Sequence, residues 1–433
     1  MSEIFITKIR AKDCPIVGDI EIPLSEEKRK HLIITGKNGS GKTTFLRELD
    51  RCFNDLLSNK EPVIKLKEYI NSYQSLIQDR QRKIEALESL SARTDIQQAE
   101  LEQYKRDVNY YKGCIQNLEE QIREMEKAQI FFSDDDYLSV INKGRLILAF
   151  FEAKRQNAPY VPNAIENINL ETNKSTKTEL HQKLIAYLVR LRTTYLNEKD
   201  KGERGSEESK QEAKKIQEWF EHFEKTLQSL FAREDLRLDY DDENLNYKIR
   251  YGNRDFGFNE LSDGYSSLIA ILAELILRME AKGHRAYDMQ GVVLIDEIET
   301  HLHIALQKEV MPFLCGFFKN IQFIITTHSP FVLSSLENAV ICDLENKVIL
   351  TEDVSGYSYE ALTDGYFDIS KYSTLVEEKY QAFKTLLKVR QERKLSNAEI
   401  LQLNELEHFF ETIPTYQNEE LKLRIGKLLE ELK

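Results

Sequence analysis

The chain has 433 residues, with 60 Lys and Arg against 73 Asp and Glu, a net charge of −13 and an apolar fraction of 41%. This composition excludes collagen-like and wholly disordered chains, and the length corresponds to roughly two to three domains. The negative charge means that any DNA contact has to come from a local basic surface. The longest apolar stretches, Leu268–Leu277 and Val292–Ile295, cannot span a bilayer, and no secretory signal opens the chain, so we expect a soluble cytoplasmic protein without membrane contact.

The first 35 residues predict β-strands. Isoleucines alternate around positions 4–9 and 20–22, and Leu32–Thr35 is a short apolar run that stops at Gly36. A glycine-rich loop then leads directly into a helical pattern.

The segment from Leu66 to Met125 is nearly free of glycine, highly charged and apolar at heptad spacing. The turn Ser91–Asp95 divides it into two helices of about 28 residues, each roughly 40 Å long. The strict alternation of three- and four-residue steps favours a projecting antiparallel coiled coil over two helices packed on a core. The apolar stripe consists of Leu66, Ile70, Tyr73, Ile77, Ile84, Leu87, Leu101, Tyr104, Val108, Tyr111, Ile115, Leu118, Ile122 and Met125, with Arg80 as one polar intruder.

The middle of the chain predicts mixed structure. Arg145–Phe151 has the pattern of a buried strand, and Glu179–Phe231 is helical, with a predicted break at the charged linker Asn197–Ser209. Leu236–Phe258 alternates as a short antiparallel meander does.

The last part of the chain begins with a loop that feeds an apolar helix. Gly291–Ile295 and Ile321–Thr326 are predicted parallel strands, buried on both faces. Beyond Glu352 the chain is polar and mostly helical, and Ser396–Glu399 is a capping box. The five cysteines are scattered and never form CxxC, so reduced, buried thiols are expected at Cys14, Cys52, Cys114, Cys315 and Cys342.

Gly36–Thr43 matches the phosphate-loop pattern GxxxxGK[ST] at every fixed position, between a predicted strand and a predicted helix. Glycines let backbone N–H groups curl around phosphates, and the helix N-terminus adds partial positive charge. Lys42 is expected to reach the β- and γ-phosphates of a nucleotide, and the Thr43 hydroxyl to ligate Mg²⁺. The predicted nucleotide-binding set is Gly36, Lys37, Asn38, Gly39, Ser40, Gly41, Lys42, Thr43 and Thr44.

Two acidic residues follow the apolar run Val292–Ile295. Asp296 and Glu297 emerge at the C-terminal end of a predicted central strand, where α/β sheets bind ligands. Asp296 is expected in the Mg²⁺ shell, and Glu297 is expected to orient and deprotonate an attacking water. An acidic pair after an apolar run is weak evidence alone, but this one lies downstream of a complete phosphate loop.

Two further motifs complete a recognisable order. A TTHS sequence places His328 at the end of the strand that follows the acidic pair. An LSxG loop lies just before a predicted helix, where a hydroxyl and a glycine amide can bind a γ-phosphate; it consists of Leu261, Ser262, Asp263 and Gly264. The order phosphate loop, LSxG, acidic pair and TTHS, over about Ile4–Cys342, resembles the ABC-type ATPase heads of the SMC, RecF and OLD families.

The resemblance implies an α/β P-loop NTPase, an ABC-type ATPase head with an inserted antiparallel coiled coil and a helical C-terminal extension. It implies ATP and Mg²⁺ as ligands and two heads that dimerise face to face, so that Ser262 and Gly264 act in trans on the nucleotide of the partner. By position, Glu297 is the catalytic base and His328 the switch histidine that senses the γ-phosphate. The resemblance implies five parts. The ATPase head begins with residues 1–60 and resumes at 261–352, which contain the LSxG loop, the acidic pair and the switch histidine. The coiled-coil hairpin at 61–130 and a helical and β second lobe at 131–260 lie between them, and the helical extension follows at 353–433.

The chain departs from the family pattern at a few positions. Ile304 stands where the family usually has proline, and Tyr265 stands where relatives often carry an acid or a glutamine. Gln156 is the candidate for the Q-loop glutamine. The loop carrying His301 and His303 corresponds to a dimer-facing loop, and zinc binding is not expected there because a third ligand is missing.

Missing motifs narrow the resemblance. The hairpin tip has no CxxC, which disfavours zinc-hook repair ATPases, and the hairpin is too short for an SMC arm. No toprim or HNH nuclease pattern is visible, and Asp134–Asp136 and Asp241–Asp242 are interpreted as loop acids. The chain therefore resembles the ATPase subunits of bacterial anti-phage systems, most of all Septu, which act with a separate HNH nuclease. This implies no intrinsic nuclease and a partner docked outside the ATP sites, with the C-terminal tail as the candidate surface.

Two basic clusters leave direct DNA binding open, although solvated helix faces are the simpler interpretation. The alternative functions are a RecF- or SMC-like DNA-repair ATPase that clamps DNA, and a nucleotide-locked scaffold with little turnover. The clusters are Arg80, Arg82, Lys83 and Arg93 at the hairpin tip, and Lys384, Lys388, Arg390, Arg393 and Lys394 in the tail.

Overall fold

The computed structural model describes residues 3–58, 60, 63–155, 158–168, 170, 175–282, 288–351, 374–412 and 425. The chain forms two compact units, residues 1–357 and 358–433. A helix with both the length and the apolar surface needed to traverse a membrane is absent from the described part of the chain. The five-part division drawn from the sequence stays a prediction.

The N-terminal strands form as predicted. β1 (Ile6–Cys14) pairs antiparallel with β2 (Gly18–Pro23), and β3 (His31–Thr35) lies in a separate sheet. β4 (Ala128–Phe132) completes the first sheet on the other side of β1. Helix α1 (Lys42–Leu57) follows the glycine-rich loop, and its apolar face packs into the core between the two sheets.

A six-stranded sheet forms the centre of the first unit. Its order is β12-β11-β3-β10-β9-β5, and all neighbours are parallel except β12. The predicted buried strands are confirmed, because β3, β5 and β10 are buried at every residue, as expected for a parallel sheet covered on both faces. The further strands are β5 (Leu146–Phe151), β9 (Gln290–Ile295), β10 (Ile321–Thr326), β11 (Ala339–Asp343) and β12 (Val348–Leu350).

The inserted segment is a pair of antiparallel helices, α2 (Val63–Glu88) and α3 (Asp95–Glu126). Every position of the predicted apolar stripe is buried or half-buried. The polar intruder Arg80 is accommodated because its Nε donates to Asp107 Oδ2 at 3.0 Å across the pair. Thr94 opens α3 with a capping box. The helix pair is therefore present, while coiled-coil packing stays a prediction.

The predicted linker Asn197–Ser209 is wrong in extent. Helix α5 (Leu184–Glu203) continues through its first half, and α6 (Glu207–Phe231) begins before its end. The charged residues support the helix instead of ending it, since Lys201 pairs with Glu198 at 2.6 Å one turn away. The actual break is short and is made by Gly205, whose φ of 108° is a left-handed value.

The predicted meander and the predicted apolar helix are confirmed in the first unit. A meander of three antiparallel strands follows α6, and an apolar helix follows the LSxG loop. The elements are α4 (Tyr137–Asn142), β6 (Arg237–Asp241), β7 (Asn246–Tyr251), β8 (Arg254–Gly257), α7 (Asp263–Glu280), α8 (Ile304–Phe317) and α9 (Pro330–Leu333).

The second unit contains α10 (Thr374–Glu392) and α11 (Asn397–Thr412), which pack through buried apolar side chains such as Phe383 and Leu403. The predicted capping box is confirmed, because the Ser396 backbone N–H donates to Glu399 Oε2 at 2.8 Å and the Glu399 N–H donates to Ser396 Oγ. All five cysteines of the chain are free thiols. Cys14 and Cys342 are buried as expected, whereas the expectation of burial is wrong for Cys52, Cys114 and Cys315, which are half-buried.

Candidate nucleotide-binding site

The phosphate loop connects β3 to α1 through glycines in left-handed conformations. Gly36 has φ of 138° and Gly41 has φ of 94°. A Cβ at Gly41 would lie 2.8 Å from Val17 Cγ2, so the turn before β2 leaves no room for a side chain there. Within the described residues, the buried Ser40 Oγ has no hydrogen-bond partner. The left-handed glycines and the unpaired Ser40 hydroxyl therefore lie directly before the N-terminus of α1, an arrangement that suits an anion.

Lys42 is held inside this loop. Its Nζ donates to the carbonyl oxygens of Gly36 at 2.8 Å and Lys37 at 3.0 Å, and the side chain is buried. Burial lowers the pKa of Lys42, and the nearby carboxylates Glu297 and Asp296 oppose that effect. The ammonium is thus placed in the loop where phosphate oxygens can replace carbonyl oxygens as its acceptors.

The acidic pair comes from the end of β9 and meets the phosphate loop across the sheet. Thr43 Oγ1 donates to Asp296 Oδ2 at 2.9 Å, although the two residues lie 253 positions apart. Thr326 Oγ1, at the end of β10, donates to the other carboxylate oxygen at 2.6 Å. A hydroxyl and a carboxylate side by side are hard oxygen donors of the kind that Mg²⁺ prefers, so Thr43 and Asp296 fit the implied ion.

Glu297 has an unusual backbone. Its φ of 45° is rare for a non-glycine residue. The conformation is held because the Glu297 N–H donates to Thr326 Oγ1 at 2.7 Å and the Ile298 N–H donates to the Thr326 carbonyl at 3.2 Å. The Glu297 carboxylate accepts from Thr300 Oγ1 at 3.2 Å. Thr326 thus orients both members of the acidic pair.

His328 is brought to the same edge of the sheet by β10. Its backbone N–H donates to Glu299 Oε1. Burial, and then the charge of Lys42, lower the pKa of His328, so the neutral imidazole is favoured at physiological pH. Lys42, Thr43, Asp296, Glu297 and His328 therefore converge as the sequence predicted for one site.

The LSxG loop contacts the segment that follows the acidic pair. Ser262 and Asp263 are exposed, and the Ser262 side chain makes no capping hydrogen bond to α7. Gly264 is buried against the loop after the acidic pair, where a Cβ would lie 2.8 Å from the His301 carbonyl oxygen. Leu261 is half-buried. The loop is thus anchored at Gly264 and presents Ser262 to solvent.

Sequence reasoning missed the residues that orient the site. Thr326, Glu299 and Arg155 make hydrogen bonds to the predicted residues, but no spacing or motif predicts this role for Glu299 or Arg155. Arg155 directly precedes Gln156, the Q-loop candidate, which lies outside the described residues. The only sequence signal for Thr326 was its place in the TTHS motif.

His303 and the loop acids, which were not expected to bind a metal, make local hydrogen bonds instead. His303 Nδ1 accepts from the Ala305 N–H at 3.4 Å and caps α8. Asp134 accepts from the Asp136 N–H at 2.9 Å, and Asp241 accepts from the Asn244 side chain at 3.0 Å. Groups of three or more metal-ligating side chains are not found in the described part of the chain.

Comparisons with known proteins give related ATPases. The chain is 29% identical to the Septu protein PtuA of Bacillus mycoides over 209 residues, which cover 46% of this chain and 29% of PtuA. It is 34% identical to the "Retron Ec83 probable ATPase" of Escherichia coli over 130 residues, covering 28% and 24% of the two chains. It is 30% identical to the "Retron Vc95 probable ATPase" of Vibrio cholerae over 179 residues, covering 41% and 32%. Each match spans less than a third of the relative.

A solved structure, the SMC head domain from Thermotoga maritima, aligns with 81% of this chain and 99% of that chain at 13% identity. Its TM-score is 0.36, so it adds nothing to the sheet topology described above.

A family model matches a much larger part of the chain. Residues 32–334 match the family described as "AAA domain, putative AbiEii toxin, Type IV TA system", and this range includes every predicted site residue from the phosphate loop to His328. The similarity to PtuA confirms the predicted resemblance to Septu ATPases, and the family match with the observed sheet confirms the P-loop ATPase head. The chain therefore belongs to this AAA-domain family.

Proposed function

We propose that the chain is an ATPase that binds ATP with Mg²⁺ and hydrolyses it. The observation that carries the proposal is the 2.9 Å hydrogen bond from Thr43 to Asp296, which joins the phosphate loop to the acidic pair. Lys42 and Glu297 flank this bond, so a phosphate-binding cation, a metal-binding oxygen pair and a general base share one edge of the sheet.

In this proposal, Lys42 and the loop N–H groups bind the β- and γ-phosphates, and Thr43 and Asp296 hold Mg²⁺. The ion neutralises charge that develops on the γ-phosphate during transfer. Glu297 accepts a proton from the attacking water, and Thr300 keeps its carboxylate in place. His328 acts on the γ-phosphate as a neutral donor, in line with its lowered pKa.

The site is proposed to be composite, with two copies of the chain facing each other. Support comes from the LSxG loop, because Ser262 and Asp263 are exposed while Gly264 is anchored. An exposed serine at the start of a helix is free to donate to a phosphate held by another copy. The signature residues Leu261, Ser262, Asp263 and Gly264 therefore act in trans.

The biological role is proposed to be anti-phage defence in the cytoplasm, through control of a separate effector nuclease of HNH type. The relatives carrying this suggestion are a Septu protein and two retron ATPases. The second unit, with its helices α10 and α11, is the proposed docking surface for the nuclease. Residues 353–433 contribute none of the predicted nucleotide-binding residues, so the proposed docking surface is separate from those residues in the sequence.

The hairpin gives the DNA-clamp alternative little support. Arg80 and Lys83 both pair with Asp79, at 3.0 and 2.9 Å, and Arg80 also binds Asp107. Arg93 donates to the carbonyl oxygens of Leu87 and Glu88 and so closes the end of α2. These three cations already bind groups within the hairpin, which weakens the case that they bind the phosphate backbone of DNA.

Turnover and plaque assays test the proposal. The parent protein should release phosphate from ATP in the presence of Mg²⁺, and Glu297→Gln should slow release by about 10²–10⁴-fold while ATP still binds. We expect an HNH reading frame beside the gene; cells that carry both genes should resist phage, and cells that carry either gene alone should not. Absent turnover, together with protection that Glu297→Gln leaves intact, would favour the scaffold alternative. Duplex DNA binding with a steep salt dependence would favour the clamp.

A further inference from the structure

Arg155 bridges two parts of the molecule that the proposed mechanism uses. It follows β5, and its side chain is half-buried. Its Nε donates to Ser267 Oγ in the second turn of α7 at 2.9 Å, and its Nη2 donates to the Glu297 carbonyl oxygen at 2.7 Å. One guanidinium thus connects the helix that carries the LSxG loop to the backbone of the catalytic carboxylate.

The charge of Arg155 is retained in this position. Burial lowers its pKa to about 10, and the carboxylates of Glu299, Asp296 and Glu297 oppose that effect. The group is therefore cationic at neutral pH, and hydrogen bonds from a charged donor are stronger than neutral ones. A planar guanidinium can hold two acceptors at a defined angle, which an ammonium cannot do equally well.

A second contact joins the same two parts. Gly264 in the first turn of α7 lies against the His301 carbonyl oxygen, where any Cβ would be 2.8 Å away. Glu297 and His301 both have positive φ, at 45° and 65°, so the loop between them has little freedom to relax independently. α7 therefore approaches the loop that carries Glu297 at two places, directly at Gly264 and through Ser267 and Arg155.

We infer that Arg155 is a positioning residue that couples the LSxG loop to Glu297 of the same chain. The inference rests on the proposed function, in which Ser262 binds the nucleotide of the partner while Glu297 serves the chain's own nucleotide. Closure of α7 on one nucleotide is then passed through Ser267 and Arg155 to the base acting on the other. The two composite sites consequently hydrolyse ATP in a concerted way.

The experiment compares Arg155→Gln with Lys154→Gln, an exposed neighbour with the same change of charge. Arg155→Gln should lower kcat by about 10–100-fold, as removal of an outer-shell orienting group does, with little change in KM. The parent should show a Hill coefficient for ATP between about 1 and 2, and the variant a value near 1. Lys154→Gln should match the parent in kcat and in the Hill coefficient.

Ser267→Ala separates coupling from positioning. This variant keeps the bond from Arg155 to Glu297 but removes the bond to α7. It should lower the Hill coefficient to that of Arg155→Gln while kcat falls much less. If Arg155 has a simple structural role, kcat, the Hill coefficient and the melting temperature should all fall in parallel, and that outcome would overturn the inference.

A nucleotide-free measurement gives an independent readout. In apo protein, Arg155→Gln should speed amide exchange at Ile298, Thr300 and Leu302 by about tenfold, the equivalent of one charge-assisted hydrogen bond. Unchanged exchange, or a kcat and Hill coefficient equal to those of Lys154→Gln, would overturn the inference while leaving the ATPase proposal intact. A parent protein without turnover would overturn the proposed function itself, and the coupling with it.

Discussion

The phosphate-loop half and the LSxG half of the proposed site differ in how far folding completes them. Lys42 and Asp296 are buried, and each is satisfied by hydrogen bonds within the chain. Ser262 and Asp263 are exposed, and the serine caps nothing. Folding of one chain therefore assembles the first half, whereas the second half is left exposed, as its proposed use by another copy requires. Four experiments test this contrast.

Mixing two inactive variants tests the contrast most directly. Lys42→Met removes the phosphate-binding cation and Ser262→Arg blocks the LSxG loop, and each should reduce ATP turnover by about 10²–10³-fold. An equal mixture should recover at most about a quarter of parental turnover, because half of randomly assorted dimers are mixed and each has one intact site. Phosphate release is the measurement.

One control mixture defines the background for that result. A mixture of Lys42→Met with Glu297→Gln leaves no intact site, because both residues act on the same nucleotide, and it should recover nothing. If the Lys42→Met and Ser262→Arg mixture also recovers nothing although mixed dimers form, the LSxG loop does not act in trans, or the inferred coupling makes an intact site inactive beside a blocked one. Repeating the mixture with Ser267→Ala in both chains, which removes the coupling, separates these two outcomes.

Acid should weaken the phosphate-loop half through His31 at the start of β3. Burial, and then Arg29, lower the pKa of His31 to about 4, and its Nδ1 accepts from the Phe323 N–H at 3.0 Å. The unfolded residue takes up a proton near its ordinary pKa of about 6.5, whereas the folded residue does not until about pH 4. Acidification between these values should lower the free energy of unfolding by about 3 kcal/mol from this residue.

Urea unfolding at several pH values measures the effect. His31→Asn keeps an acceptor near the position of Nδ1 but cannot titrate, so its pH dependence should be shallower than that of the parent over this window. Equal slopes for the two proteins would show that the buried imidazole does not set the acid sensitivity.

Gly264→Ala should destabilise the anchor of the LSxG half. The added Cβ would lie 2.8 Å from the His301 carbonyl oxygen, and overpacking of this kind costs about 1–3 kcal/mol. Gly113→Ala is the matched control, because it lies in α3 with no atom within 4 Å of the new Cβ, and it should stabilise by up to about 1 kcal/mol. The measurement is the melting temperature of each variant, which should be lower for Gly264→Ala than for Gly113→Ala. Equal melting temperatures would contradict the close packing at Gly264.

Ser262→Ala should have the smallest effect on stability. The side chain is exposed and makes no capping bond, so the free energy of unfolding should change by less than about 0.5 kcal/mol although ATP turnover falls. Ser206→Ala is the control, since that hydroxyl caps α6 through the Ser209 N–H at 3.3 Å, and its loss should cost about 1 kcal/mol. A large loss of stability in Ser262→Ala would mean that the serine has a structural partner within its own chain.

Local chemistry explains what could be predicted. The phosphate loop requires glycines at fixed positions, and Gly36 and Gly41 do have the positive φ values that such a loop needs. The helix pair from Val63 to Glu126 follows from a periodic apolar stripe. The capping box at Ser396 was visible as a four-residue pattern. The linker prediction is wrong because high charge and glycine do not by themselves end a helix. Charged pairs such as Glu198–Lys201 are compatible with a continuous helix.

The sequence by itself determined which residues carry the chemistry and in which order they occur, because those properties belong to short segments. Tertiary structure alone decided how they meet, since that depends on which strands become neighbours. The Thr43–Asp296 bond spans 253 positions, and the Arg155–Glu297 bond spans 142. Thr326 orients the acidic pair only because β10 lies beside β9 in the sheet. Contacts over such separations leave no periodicity and no spacing in the sequence, so packing of the sheet had to reveal them.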